Sequence, residues 1–268
     1  MPPPTVARLF IHPIKSLDRV AVTEARLLSG GSLSHDREFA LFDQEGNFVN
    51  GKQQPRVHLI RAAYDLKDCT VTLHTREQDE AQTFHLLDER TRLEAWFSDF
   101  FGFPVTMKKD TTTGFPDDPA SPGPTLVSVA TLDEVCSWFP ELTREQASRR
   151  FRVNIEVNNV PAFWEDRLFG EPGEIVEFTI GQVQLHGVNP CQRCVVPSRH
   201  PETGDMIHGF QKTFSEKRQA TLPAWVKTTR FNHFYRISIN TRVSSSEAGK
   251  CLHVGSEVAH VAETHTHG

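Results

Sequence analysis

Val183-Gln184-Leu185-His186-Gly187-Val188-Asn189-Pro190-Cys191-Gln192-Arg193-Cys194 reads as a β-strand that runs into a pair of thiols. Val183, Leu185 and Gly187 share one face and Gln184 and His186 the other, the period-two alternation of a strand. Pro197 follows, then the turn Pro201-Glu202-Thr203-Gly204. The thiols are therefore expected at the mouth of a loop at a strand end, where a rigid scaffold commonly presents reactive groups. Arg193 stands immediately before Cys194. A guanidinium beside a thiol favours the thiolate and can clamp an anionic group, and a soft metal prefers a thiolate ligand.

On either side of this stretch, residues 174–180 and 183–188 read as a hairpin around Gly181-Gln182, and residues 152–157 alternate with Val153, Ile155 and Val157 on one face. Residues 125–129 and 234–240, and the run through Leu252, Val254 and Val258, add strands, so the second half is β-rich. In the first half, residues 6–11, 20–28, 38–42 with 48–50 about Gly46-Asn47, and 57–66 with 70–75 repeat the short-strand pattern. Leu93, Trp96, Phe97, Phe100 and Phe101 recur at helical spacing before Gly102 and Pro104, which predicts one helix with an aromatic core face. Thr131-Leu132-Asp133-Glu134 reads as a capping box opening a short helix that buries Cys136, and a second helix starts at residues 143–146.

Residues 110–124 are poor in apolar side chains and rich in Thr, Pro, Gly and Asp, the composition of a linker or lid. The expected fold is mainly β with short helices (α+β), arranged as two tandem β-barrel-type domains. Their bounds are 1–109 and 125–262, with residues 263–268 a frayed tail.

A net charge of -5 on 268 residues argues against a general nucleic-acid binder. Met1 to Thr5 carries no leader pattern, and no apolar run approaches the ~20 residues that span a bilayer. A soluble cytoplasmic protein without membrane contact is expected. The five cysteines, Cys69, Cys136, Cys191, Cys194 and Cys251, are too few and too odd in number for a disulfide framework.

From the residues alone, the Cys191/Cys194 pair has four readings. It is a half-buried structural pair, half of a zinc site, a thioredoxin-like redox pair, or the source of one thiolate on a soft redox metal whose anionic organic cofactor is held by arginines. Zinc needs four ligands, with only His186 and His200 nearby, and a thioredoxin-like pair opens a helix in a βαβ unit. The fourth reading draws on Lys15-Ser16, Asp36-Arg37, Arg152 with Asn154, and Arg193, which all fall at strand ends where side chains converge.

In order along the chain stand Ile11-His12-Pro13-Ile14-Lys15-Ser16, His35-Asp36-Arg37-Glu38-Phe39-Ala40-Leu41, Arg150-Phe151-Arg152-Val153-Asn154-Ile155 and Trp164-Glu165-Asp166. After them come Cys191-Gln192-Arg193-Cys194, Pro201-Glu202-Thr203-Gly204 and Gly249-Lys250-Cys251-Leu252-His253-Val254-Gly255. This ordered set resembles the MOSC family with its N-terminal β-barrel companion, in the branch that contains the mitochondrial amidoxime-reducing components. The resemblance implies a molybdenum-molybdopterin cofactor, with Cys194 as metal ligand and catalytic residue. It assigns Lys15, Ser16, Arg37, Arg152, Asn154, Gln192 and Arg193 to the pterin and phosphate, although Gln192 is serine in some relatives. Residues 120–123 depart from the relatives, so no contact is carried over there. The implied reaction is two-electron oxygen-atom transfer from a small N-hydroxylated substrate, with electrons from a separate donor protein. Neither an iron–sulfur cluster nor pyridoxal phosphate is expected within the chain. Asn189 and Asp166 are candidates to position water or substrate. Sulfur transfer through a Cys194 persulfide, and cofactor delivery by a carrier, are the rival functions.

Overall fold

The computed structural model describes residues 2–75 and 78–260, so the expected tail at 263–268 lies outside the described residues. In chain order the strands are β1 (Thr5–Ile11), β2 (Val20–Val22), β3 (Glu24–Arg26), β4 (Phe39–Phe42), β5 (Ile60–Asp65), β6 (Thr70–Thr75), β7 (Gln78–His85) and β8 (Thr106–Lys109). They continue as β9 (Leu126–Ser128), β10 (Ile155–Asn158), β11 (Val176–Ile180), β12 (Val183–Gln192), β13 (Arg236–Arg242), β14 (Cys251–His253) and β15 (Val258–His260). The α-helices are α1 (Arg90–Phe101), α2 (Val129–Ser137), α3 (Arg144–Phe151) and α4 (Phe210–Ala220).

Eight strands pair in the order β15-β11-β12-β13-β9-β10-β1-β2, so β1 and β2 extend a sheet built otherwise from the second half of the chain. β3 likewise pairs with β14. What remains of the first half is a two-stranded β4-β8 sheet and a three-stranded β5-β6-β7 sheet, on which α1 packs Leu93, Phe97 and Phe101. The expectation of two barrels therefore needs correction: the fold is mainly β with helices, but among the described residues no sheet closes. Closure needs a ladder between edge strands, and the edge strands β15 and β2 share none; one isolated bridge, Thr5 to Glu257, brings the β15 end back towards β1. Strand patterns identify strands, whereas their partners are set by long-range packing.

Several local expectations shift for identifiable reasons. Gly46 adopts the left-handed turn, but β4 takes β8 as its ladder partner and meets residue 48 through a single bridge. Pro55 opens a 3-10 turn over Pro55–Leu59, which delays β5 to Ile60. Ser128, not Thr131, caps α2, accepting from Thr131 N at 3.0 Å. The Thr131 hydroxyl is committed elsewhere, to Phe163 N at 2.6 Å and Glu165 at 3.0 Å. Thr143 and Gln146 do form a capping box, on α3. Cys136 is only half-buried, packed at the edge of the core that α2, α3 and α4 share.

The strand that carries the thiols runs further than alternation indicates. β12 continues through Pro190 and Cys191, with irregularities between Gly187 and Asn189 and between Pro190 and Gln192. Proline has no N–H to give a ladder, and bulges are where a sheet tolerates it. The pairing breaks there, and the chain turns out of the sheet at the CxxC.

Candidate functional site

Lys15, Ser16, Arg37, Arg152, Asn154, Gln192, Arg193 and Cys194 all line one cavity of about 690 Å³. β1 delivers Lys15 and Ser16 just past its end, the end of β12 delivers the CxxC, and α3 ends at Arg152. Ser16 (φ 75), Arg37 (φ 50) and Arg152 (φ 51) sit on left-handed backbone, which non-glycine residues seldom adopt. Such conformations cluster where surrounding structure holds a side chain in an imposed direction. Arg152 is held as the C-cap of α3, its N–H bonded to Ser148 O at 3.1 Å.

A buried relay fixes the first cations. Asp36 accepts the His12 backbone N–H at 2.8 Å and grips the Arg37 guanidinium. Burial pushes the Asp36 carboxyl up, but Arg37 and the His12 hydrogen bonds prevail and hold it well below the usual range. His12 is itself fully enclosed, and desolvation beside Arg152 drops it to about 3, so it is neutral. Lys15 Nζ is 2.6 Å from Asp117 Oδ1 and donates to Phe115 O at 2.9 Å, and Arg37 approaches Asp117 at 3.9 Å. Residues 110–124 are thus pinned across the cavity, contributing Asp117, Ser121 and Gly123 to its wall. Gly114 makes that approach possible: its φ is +68, and a Cβ there would lie 2.7 Å from Asp36 O.

The thiol loop is held by Arg193. Its Nη1 donates to Cys191 Sγ at 3.0 Å and its Nη2 to Phe151 O, while its Nε is buried without a partner. Cys191 and Cys194 are both free and half-buried. The chain after Cys194 enters a 3-10 turn at Val196–Ser198, so the pair opens no helix, unlike a thioredoxin motif. Among the described residues no three His, Cys, Asp or Glu side chains gather as a metal-binding group, so the protein offers no zinc tetrahedron here.

The expected residues do not all face the cavity in the same way. Asn154 is buried and occupied by the scaffold, accepting from Thr125 N and Oγ1 at 3.1 Å each and donating to Phe10 O at 3.1 Å. Gln192 is exposed at the rim, 3.5 Å from Arg236. Asn189 lines the cavity and accepts from Asn240 at 3.0 Å. Asp166 is a correction: it lies away from the cavity, paired with buried Arg218, whose guanidinium lies over Phe163 and Phe231. Its role is to neutralise a core cation. Sequence reading missed Arg150 and His58. Arg150 is 3% exposed and donates to Pro197 O at 3.1 Å and Arg199 O at 2.6 Å. His58 lies in the 3-10 turn read as strand, and burial among Arg152, Arg199 and Arg61 lowers it to about 4. The one signal for Arg150 was its place at the start of Arg150-Phe151-Arg152.

The fold and this cavity define a MOSC-type protein. A model of the MOSC N-terminal beta barrel domain matches residues 3–104 and one of the MOSC domain matches residues 125–259. The chain belongs to that family. It is 24% identical over 265 residues to the human molybdenum cofactor sulfurase, covering 81% of this chain and 29% of that protein's length. Similarity to human mitochondrial amidoxime reducing component 2 is 26% over 234 residues, and to human mitochondrial amidoxime-reducing component 1 it is 27% over 239 residues. Each of those two matches covers 75% of this chain and 68% of the relative. Among the described residues no helix is long and apolar enough to cross a membrane.

Proposed function

We propose that this chain binds a molybdenum-molybdopterin cofactor and reduces small N-hydroxylated compounds. The observation that carries the reading is the cavity itself, a space of about 690 Å³ lined by the half-buried thiols Cys191 and Cys194 and by Lys15, Arg37, Arg150, Arg152 and Arg193. Buried nitrogens on its wall, Arg152 Nη2, Arg150 Nε and Arg193 Nε, have no hydrogen-bond partner. Buried donors normally have one, so the donor set fits an anionic organic group of pterin size. Cys194 would be the single protein ligand to the metal, with Arg152, Arg193 and Ser16 around the organic part.

When bound, the cofactor supplies a centre that exchanges two electrons and an oxygen atom. The overall conversion, R–NHOH + 2e⁻ + 2H⁺ → R–NH₂ + H₂O, needs an electron donor separate from this chain. The protein's part is to position and to shield. Arg193 ties the thiol loop to Phe151 O, and the segment carrying Asp117 forms part of the cavity wall, held by Lys15. Asn189 and Asn240 offer neutral hydrogen bonds near Cys191, where a substrate can be oriented without added charge.

Protein purified from a host that makes the cofactor, supplied with a chemical reductant, is expected to convert benzamidoxime to benzamidine. Full cofactor loading with no turnover of any N-hydroxylated compound would refute the reductase reading. The resemblance to molybdenum cofactor sulfurase supports one rival, sulfur transfer through Cys194, for which a persulfide on metal-free protein is the diagnostic.

A further inference from the structure

Most cations of the cavity already have work inside the site. Arg37 is gripped by Asp36, Lys15 by Asp117, and Arg193 holds Cys191 and Phe151 O. Arg236 differs from them. It stands at the start of β13, opposite Gln192 in the β12 ladder, and lines the same cavity. Its guanidinium meets neutral groups only. Nη1 donates to Pro190 O at 2.9 Å, Nη2 donates to Asn232 Oδ1 at 2.7 Å and to Gln192 Oε1 at 3.5 Å, and Nε is buried without a partner. Among the described residues no carboxylate lies within salt-bridge distance of it; the charged groups that act on it are Cys191 and Arg230.

The backbone aims this cation at the cavity. Ser238 (φ 66) interrupts β13 where its pairing with β12 is irregular, and the strand brings both Arg236 and Asn240 to the cavity wall. Asn240 donates to Asn189 Oδ1 at 3.0 Å, so this side of the wall offers neutral amides beside a single positive charge. The carboxylate nearest to that amide pair is Asp118, which accepts from Ala120 N at 3.0 Å and from Asn240 at 3.4 Å and does not pair with Arg236. Asn232 and Gln192 are exposed side chains, free to swing aside. A hydrogen bond from a guanidinium to a carboxylate is roughly twice as strong as one to a neutral amide, so a carboxylate displaces them from Nη2. A guanidinium also stays charged at any working pH, which leaves the choice to the charge on the ligand. We propose that Arg236 is a specificity residue: it favours N-hydroxylated compounds that carry a carboxylate, which it binds at the cavity wall while the N-hydroxyl end reaches the thiol loop. This rests on the reductase function proposed above.

The test is calorimetric titration, without reductant, of protein purified from a host that makes the cofactor. The probes are benzamidoxime and its meta- and para-carboxy derivatives. Wild type is expected to bind at least one carboxylated isomer about tenfold more tightly than benzamidoxime. That preference should shrink as salt is raised, a readout that needs no variant. Arg236→Gln should bring the ratio of affinities close to one, and Arg236→Lys should keep part of the preference. Because a ratio is read, any general loosening of the thiol loop through the lost bond to Pro190 O cancels. Equal affinities in wild type would overturn the assignment, as would a preference that survives in Arg236→Gln. A loss shared equally by all three compounds would overturn it too, and would show Arg236 to be a brace for the thiol loop. If the preference appears and vanishes as expected but added reductant turns over none of the three compounds, the reductase reading falls and Arg236 stays as the carboxylate contact.

Discussion

Arg193 Nη1 lies 3.0 Å from the sulfur of Cys191, while Cys194, one residue further on, makes no hydrogen bond among the described residues. Both thiols line the cavity, but only Cys191 is tied to Arg193, so the proposed metal ligand is Cys194. Cys191→Ala should retain most of the metal, whereas Arg193→Met, which also loses the bond to Phe151 O, should lower occupancy at least about tenfold. Elemental analysis of the two variants checks this, and equal retention in both would refute the division.

Asp117 joins residues 110–124 to Lys15, whose side chain is 9% exposed while that of Asp117 is 63% exposed. Asp117→Asn leaves a buried ammonium without its counter-charge and should destabilise metal-free protein by about 1 kcal/mol. It should also expose residues 110–124 to limited proteolysis. Desolvation by the cavity wall raises the Asp117 carboxyl, but Arg37 and Lys15 outweigh it and hold the group well below its ordinary 3.8. A depressed folded pKa contributes stability above about pH 4 that is lost as pH falls further. Acid unfolding of Asp117→Asn should therefore be less steep below pH 4, measurable by circular dichroism, and identical acid curves would contradict the clamp.

Glu165 works in the opposite direction. Its burial, and then the neighbouring Asp166, raise it to about 7 from an ordinary 4.5. The folded state holds the proton more tightly than the unfolded chain, so stability falls as pH rises from about 4.5 to 7. Glu165→Gln should remove that fall and gain on the order of 1–3 kcal/mol over wild type at pH 8 relative to pH 5. Urea unfolding at the two pH values decides the matter, and parallel losses in both proteins would show that Glu165 is not the cause.

Gly204→Ala combines left-handed backbone with a contact at 2.8 Å on Pro55 O. A loss of about 1–2 kcal/mol in unfolding free energy is expected. An unchanged denaturation midpoint would show that the turn relaxes freely.

Much of the site was legible because its residues sit where short patterns end: Lys15 after β1, Arg152 after α3, Arg193 after β12. The pairings were not legible. β1 reads as a strand from Val6, Leu9 and Ile11, but nothing local says that its partners are β10 and β2. Helix α4 escaped notice because its buried stripe is Phe210, Phe214 and Arg218, and a charge at the third position breaks the apolar period. His58 was hidden by a 3-10 turn that resembles strand, and its setting is made by arginines distant in sequence. Asp166 was misjudged because a carboxylate beside a motif says nothing of which way it faces, and here it faces Arg218.

On the proposed function, Cys194 is the one protein ligand to a molybdenum cofactor. The most direct measurement is molybdenum and pterin content per chain in wild type, Cys191→Ala and Cys194→Ala, each purified from a host that makes the cofactor. About one molybdenum and one pterin per chain are expected in wild type, most of that in Cys191→Ala, and molybdenum is expected to be lost in Cys194→Ala. Full molybdenum occupancy in Cys194→Ala would contradict it.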